Sequence, residues 1–276
     1  KKPERKWRAL TDWGKSGALY GVRLDEEGPY YGPLNKQKWV DDVGEDVPET
    51  IADWERILTK FKEQKGATAP FILDPTGYDY TAGTFLSAFG VGPAFYLDGE
   101  EIKFGPYEDG FYDYLELMRD WIKKGLIDPN FSEKSWDDML AQITSTQSGA
   151  MIQSPDTMSV YFENNGISWT AAPYPVLNEG DELHYRQKSF KVYDAVIPPL
   201  TYTRTENQDV SANMDAVNQY ITTQVLSYLT GQENDLSGTS DKIEDPSKFR
   251  SNLDSRGLAD TLAIVKAAYE RYLERV

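Results

Sequence analysis

The stretch that most constrains how this chain can fold runs from Gly149 to Val176. Ala150-Met151-Ile152 is a short apolar run closed by polar residues, the pattern of a buried strand. Pro155 suits the first turn of a helix, where its missing N–H is no loss, and Ser154 before it is a candidate N-cap. Met158, Tyr161 and Phe162 repeat at helical spacing, and Asn165-Gly166 stops the helix. Ile167 to Ala172 reads as a second strand, broken by Pro173 and Pro175. The expectation is a compact βαβ unit with a polar, donor-rich turn at a strand's carboxyl end. In open α/β sheets that edge holds ligands. A packing motif without a ligand is the competing reading of the same residues.

Several chemistries are excluded by what the chain lacks. It has no cysteine, which removes disulfides, thiolate catalysis and thiolate metal sites together. Its one histidine, His184, sits in the polar stretch Asp-Glu-Leu-His-Tyr-Arg and reads as a solvated surface residue, so neither a Ser-His-Asp triad nor a histidine metal site is expected. The 232–241 segment has calcium-like content, but its spacing fails the EF-hand pattern and it reads as a solvated loop. No cofactor and no metal are expected. A net charge of −16 argues against nucleic acid, whose phosphates need clustered Lys and Arg. No apolar run is long enough to span a membrane, and Lys1-Lys2-Pro3-Glu4-Arg5-Lys6 is followed by no signal-like apolar stretch. Aromatics make up 13% of the chain, with 18 Tyr and 7 Trp; set beside Asp, Asn and Gln, they suit a sugar-binding cleft.

In chain order, Ala18 to Val22 reads as a strand, and the Gly- and Pro-rich run Asp25 to Pro33 as an irregular loop carrying Tyr30 and Tyr31 as packed lids or contact residues. Leu34 to Val40 reads as a strand running into a helical turn. Glu49 to Gln64 is a helix, with Thr50 and Asp53 spaced as a capping box and Ile51, Trp54, Ile57, Leu58 and Phe61 as one apolar stripe. Ala69 to Leu73 is a buried strand that stops at Asp74, where the carboxylate either caps the next turn or faces a ligand. A helix over Thr81 to Phe89 follows, then a hairpin over Phe95 to Phe104 with Asp98-Gly99 as a type I′ turn. Gly110 to Lys124 and Trp136 to Thr144 are further helices. Leu183 to Val196 alternates loosely. Val210 to Thr230, Ser247 to Leu253 and Gly257 to Arg275 make the last part of the chain helical.

Four stretches, in order, resemble one family. Gly44-Glu-Asp-Val-Pro-Glu-Thr-Ile-Ala-Asp-Trp54 is similar to the start of a helix in extracellular solute-binding proteins of ABC importers, the group that includes the maltodextrin-binding protein. Tyr112 to Pro129, ending Gly-Leu-Ile-Asp-Pro, resembles that family's "EGLIDP" helix end. Ser148-Gly-Ala-Met-Ile152 resembles its "G-x-x-AM" strand, and Ala267 to Arg275 its closing helix.

The resemblance implies an α/β fold of the periplasmic-binding-protein-like type II, with a small mixed sheet flanked by helices and a helical C-terminal part. Family members have two lobes that close on the ligand by hinge motion. Here the first lobe's opening βαβ stretch, secretion signal and lipid-bearing cysteine are expected to be missing, with crossings near Tyr20-Gly21 and Ser189 to Val196. The whole of 1–276 then reads as a single lobe close to the second one: a sheet-containing part over 1–197 and C-terminal helices over 198–276. The ligand implied is a sugar or oligosaccharide, and the partners are the importer's membrane subunits. The protein is implied to be an extracellular, monomeric, non-enzymatic binder.

The resemblance places ligand contacts at Asp74, Tyr78 and Tyr80 in one turn, and at Ser154, Asp156 and Thr157 in another. Asn218 is brought near the cleft by the long C-terminal helix, and Tyr30, Tyr31 and Trp169 are candidates for the aromatic face. Some sugar binders have a tryptophan in the turn after Ile152 that this sequence lacks. Two rival readings stay open: a glycoside hydrolase using Asp74 and Asp156 as paired carboxylates, and a structural or partner-binding domain.

Overall fold

The structure, a computed structural model, describes residues 31–77, 83–181, 197, 200–231 and 245–275. Its main sheet is built from β1 (Gly32–Lys36), β2 (Phe71–Ile72), β5 (Ala150–Gln153) and β6 (Trp169–Ala171), in the spatial order β2-β5-β1-β6. β2 runs parallel to β5, whereas β1 is antiparallel to both β5 and β6. The strands on either side of the expected βαβ unit are therefore parallel but not neighbours. β1 is inserted between them, a long-range pairing that local pattern does not announce.

Gly32 and Pro33, expected in an irregular loop, open β1 instead. A proline in a central strand ordinarily removes a ladder bond. Here the loss is confined to one bond towards β6, and the reciprocal bond, from the Ala172 N–H to the Pro33 carbonyl, remains at 2.9 Å.

Both faces of the sheet are covered because side chains alternate along each strand. One face presents Phe71, Leu73, Ala150 and Ala172 to the main core. That core is supplied by α1 (Gln37–Asp42), α2 (Ile51–Lys65) and α3 (Asp109–Lys123). α2 begins with the expected capping box: the Asp53 N–H donates to the Thr50 hydroxyl, and the Thr50 N–H donates to the Asp53 carboxylate. Trp54 from α2 and Trp121 from α3 meet Phe71 and Phe85 edge-on, with ring centroids 5.2 to 6.1 Å apart. Such edge contacts add to the burial of these large rings. The other face presents Leu34, Ile72 and Met151 to Ile143 of α4 (Trp136–Thr144) and to Met158 and Phe162 of α5 (Pro155–Asn164).

β3 (Phe95–Asp98) and β4 (Glu101–Phe104) form the expected hairpin, but its turn is shifted by one residue. Asp98 pairs with Glu101, so Gly99 and Glu100 are the central residues. Gly99 has φ 62°, and no described non-glycine residue has positive φ, which is the type II′ pattern rather than I′. Within the described part of the expected 81–89 helix, only Leu86–Phe89 is helical, as a single 3-10 turn between Gly83 and Gly90, both at positive φ.

α6 (Arg204–Thr230) starts earlier than its apolar periodicity suggests, because Thr203 and Glu206 form a capping box. Its Val217, Ile221, Val225 and Leu229 enter the same core as α2 and α3. α7 (Pro246–Ser255) and α8 (Leu258–Leu273) complete the C-terminal helices. Phe249 stacks on Tyr220 at 5.4 Å, Arg256 lies 4.0 Å above the same tyrosine ring, and Val265 covers Leu97 and Ile102 of the hairpin. The expected strand at 18–22, His184, the 183–196 segment and the 232–241 loop lie outside the described residues.

Candidate ligand-binding rim

The registers of the sheet bring four chain segments to one edge. Ile72 lies opposite Met151 in the parallel pair, so the turns that follow β2 and β5 leave the sheet on the same side. Gly32 lies opposite Gln153, which puts the start of the antiparallel β1 at that edge too. Leu34 pairs with Ala171, so the end of β6 joins them. Asp74 and Thr76, Ser154 to Thr157, Tyr31 and the 172–174 segment thus share one rim.

The turn after β2 is internally braced. Asp74 Oδ1 accepts from the Thr76 N–H at 2.8 Å and from its hydroxyl at 2.5 Å, and the Asp74 carbonyl accepts from the Gly77 N–H at 2.9 Å. Asp74 itself is exposed. From below, the Tyr114 hydroxyl donates to the Gly77 carbonyl at 3.4 Å. Gly77 has φ +80°, and a Cβ there would meet Leu229 at 2.7 Å and Val225 at 3.0 Å. Only glycine fits both constraints.

The turn after β5 is polar. Ser154 is the N-cap of α5 but makes no side-chain cap bond, although it is only 1% exposed. Its N–H donates to the Gln153 side chain at 2.8 Å. Pro155 occupies the first helical position, and Asp156 and Thr157 are exposed in the first turn. The first N–H groups of a helix have no partner within it and point outward, carrying the positive end of the helix dipole. Tyr31 is half-buried; its carbonyl accepts from the Tyr174 hydroxyl at 2.9 Å. Tyr174 and Thr76 are rim residues that the sequence reading did not single out. The Asp-Pro-Thr-Gly turn pattern was the signal for Thr76.

Two expected site residues lie elsewhere. Trp169 pairs with Lys36, at the end of β1 remote from the Gly32–Gln153 pair. There it packs against Phe162 with ring centroids 6.1 Å apart, as part of the small core rather than the rim. That far edge is closed by Lys36, whose ammonium donates to the Ser145 carbonyl and lies 4.5 Å from the Trp39 ring centre; burial brings its pKa down to about 8. Asn218 is half-buried on α6, but that helix meets the Asp74 turn through Val225 and Leu229, roughly 10 to 16 Å further along its axis. Tyr30, Tyr78 and Tyr80 lie outside the described residues.

A shallow concavity runs along the outside of α2, lined by Ile51, Glu55, Arg56, Lys60, Leu177 and Asn178. None of the rim residues lines it, and Arg56 and Lys60 are engaged with Glu45. Among the described residues no group of three His, Asp or Glu is placed to hold a metal ion, and no helix is long and apolar enough to cross a membrane.

No protein-family model matches the chain, and no curated protein matches it in sequence. Solved structures do match it. An HMO-binding, ABC-transporter-associated solute-binding protein from Bifidobacterium longum infantis is 16% identical, with a TM-score of 0.69 over 98% of this chain and 80% of that one. The S. pneumoniae ABC-transporter substrate-binding protein FusA, as an EF-hand mutant in complex with fructo-nystose, is 13% identical, with a TM-score of 0.70 over 99% and 80%. The alginate-binding protein AlgQ2 is 14% identical, with a TM-score of 0.63 over 87% and 72%. The chain has the mixed α/β fold of ABC-transporter solute-binding proteins. These neighbours are binding proteins rather than enzymes.

Proposed function

We propose that this chain binds carbohydrate for an ABC importer, outside the cell, and that the rim formed by Asp74, Ser154, Asp156, Thr157 and Tyr31 is its ligand-facing edge. The observation that carries this reading is the parallel register of β2 and β5. It brings an exposed carboxylate to the same edge as Ser154, whose hydroxyl makes no cap bond, and as the first-turn N–H groups of α5. Convergent donors and acceptors of this kind recognise sugar hydroxyls without any chemical step. The sugars bound by the neighbouring proteins agree with it.

The finer proposal is that the chain works as one lobe. A ligand clasped between two lobes divides its contacts between them, while the association entropy is lost almost in full with one lobe. Losing about 4 kcal/mol of contacts weakens binding roughly a thousandfold. Calorimetry of this chain with oligosaccharides is the test, and millimolar binding without turnover of chromogenic glycosides is the expected result. A sub-micromolar constant for the monomer would remove the one-lobe proposal. Glycoside turnover lost on Asp74→Asn or Asp156→Asn would remove the binding-protein reading.

A further inference from the structure

The charge of the rim narrows the ligand class. None of the rim residues at 31–33, 74–77, 153–157 and 172–174 is Lys or Arg, while Asp74 and Asp156 each place a carboxylate there. Both are exposed. Recognition of a carboxylate or sulfate draws on charge-assisted bonds from Arg or Lys, which the described residues of this edge do not provide. The positive end of the α5 dipole is opposed locally by Asp156 in the helix's own first turn. Among the described residues, what remains for a ligand is hydroxyl-matching chemistry: the Ser154 hydroxyl, which makes no cap bond, and the Asp74 oxygen left over from Thr76. A carboxylate oxygen accepts from a sugar hydroxyl and repels a uronate.

Resting on the sugar-binding reading above, we infer that this rim selects uncharged glycans and rejects acidic ones. The fold alone does not set this preference, since an alginate-binding protein shares it. With two like charges within reach, an acidic glycan is expected to bind about tenfold or more weakly than its neutral counterpart at low salt, and the gap closes as salt screens it.

The experiment uses the 276-residue chain in saturation-transfer difference NMR, which reads millimolar binding, with neutral oligosaccharides paired with uronic-acid and sulfated versions of the same backbones. Methyl-esterified and free oligogalacturonides provide one such pair. The expected result is signal confined to neutral members at low salt, with the discrimination falling as salt rises and in the Asp74→Asn/Asp156→Asn double variant. Acidic members bound as well as or better than their neutral partners would overturn the inference while leaving sugar binding in place. No transfer to any member at millimolar ligand, with the chain shown folded by circular dichroism, would overturn sugar binding itself and this inference with it.

Discussion

Ile72 and Met151 face each other across two adjacent parallel strands, and this single register brings the Asp74 and Ser154 turns to the same edge of the sheet. A one-residue slip of β2 would turn Phe71 out of the main core and Ile72 into it, so burial on both faces holds the register. The rim inherits its geometry from that packing.

Gly77→Ala tests the floor of the rim. The substitution demands a left-handed backbone from alanine and pushes a methyl group into Leu229 and Val225. Gly99→Ala demands the same backbone, at φ +62°, with nothing within 4 Å. Urea unfolding is expected to show a loss of about 1 kcal/mol for Gly99→Ala and about 3 kcal/mol for Gly77→Ala, the difference being the steric part.

Thr50→Ala and Ser154→Ala form a second comparison, since both residues are N-caps. Thr50 makes both bonds of a capping box, and its loss is expected to cost about 1 kcal/mol. Ser154 makes no cap bond, so its replacement is expected to leave the unfolding midpoint nearly unchanged while weakening glycan binding. Equal destabilisation by the two variants would show that Ser154 serves the helix and not the rim.

Acid should weaken the fold partly through Asp53. Burial pushes its carboxyl up, but hydrogen bonds from Thr50, Arg56 and the Glu49 N–H outweigh this and hold it at about 2. The folded value lies below the ordinary aspartate value of about 3.9, so the stabilisation is complete above that pH and disappears as pH falls towards 2. Thermal melts between pH 5 and pH 2 are expected to fall less steeply for Asp53→Asn than for the parent chain. Parallel curves would remove this assignment.

Asn35 of β1 is only 1% exposed, and neither its amide nitrogen nor its oxygen has a partner. Burying such a group uncompensated costs about 1–3 kcal/mol, whereas an apolar replacement of similar size carries no such penalty. Asn35→Leu is therefore expected to raise the melting temperature, and neighbouring Leu34→Ala to lower stability by about 3 kcal/mol. A fall on Asn35→Leu, read by differential scanning calorimetry, would show that the amide is engaged in the folded protein.

Local chemistry is legible in this sequence and long-range pairing is not. Thr50-x-x-Asp53 and Ser135-x-x-Asp138 announce two capping boxes, and both form. Thr203-x-x-Glu206 announces a third and marks the true start of α6, which apolar periodicity alone places later because the first turns of that helix are exposed. The edge shared by Asp74 and Ser154 is readable as well, since each follows a buried strand at its carboxyl end. The position of Trp169 is not. It depends on β1 entering between β5 and β6, and nothing within 167–172 reports which strand will lie alongside. The hairpin turn slipped by one because Asp98-Gly99 and Gly99-Glu100 both satisfy turn preferences, and the Phe95–Phe104 pairing decides between them.

The placement of β1 also sets an order of events for a chain made from its N-terminus. The first strand of the sheet occupies an inner position, yet both of its neighbours come from the second half of the sequence. α2 and α3 can coil as soon as they emerge, since their bonds are local, but β1 has no ladder partner until β5 and β6 have been synthesised. Pairings separated this widely close slowly. Until they close, Leu34 and the polar backbone of β1 stay open to solvent and to other chains. A chain so wired gains from being kept apart from other chains until β5 and β6 have emerged and closed on β1.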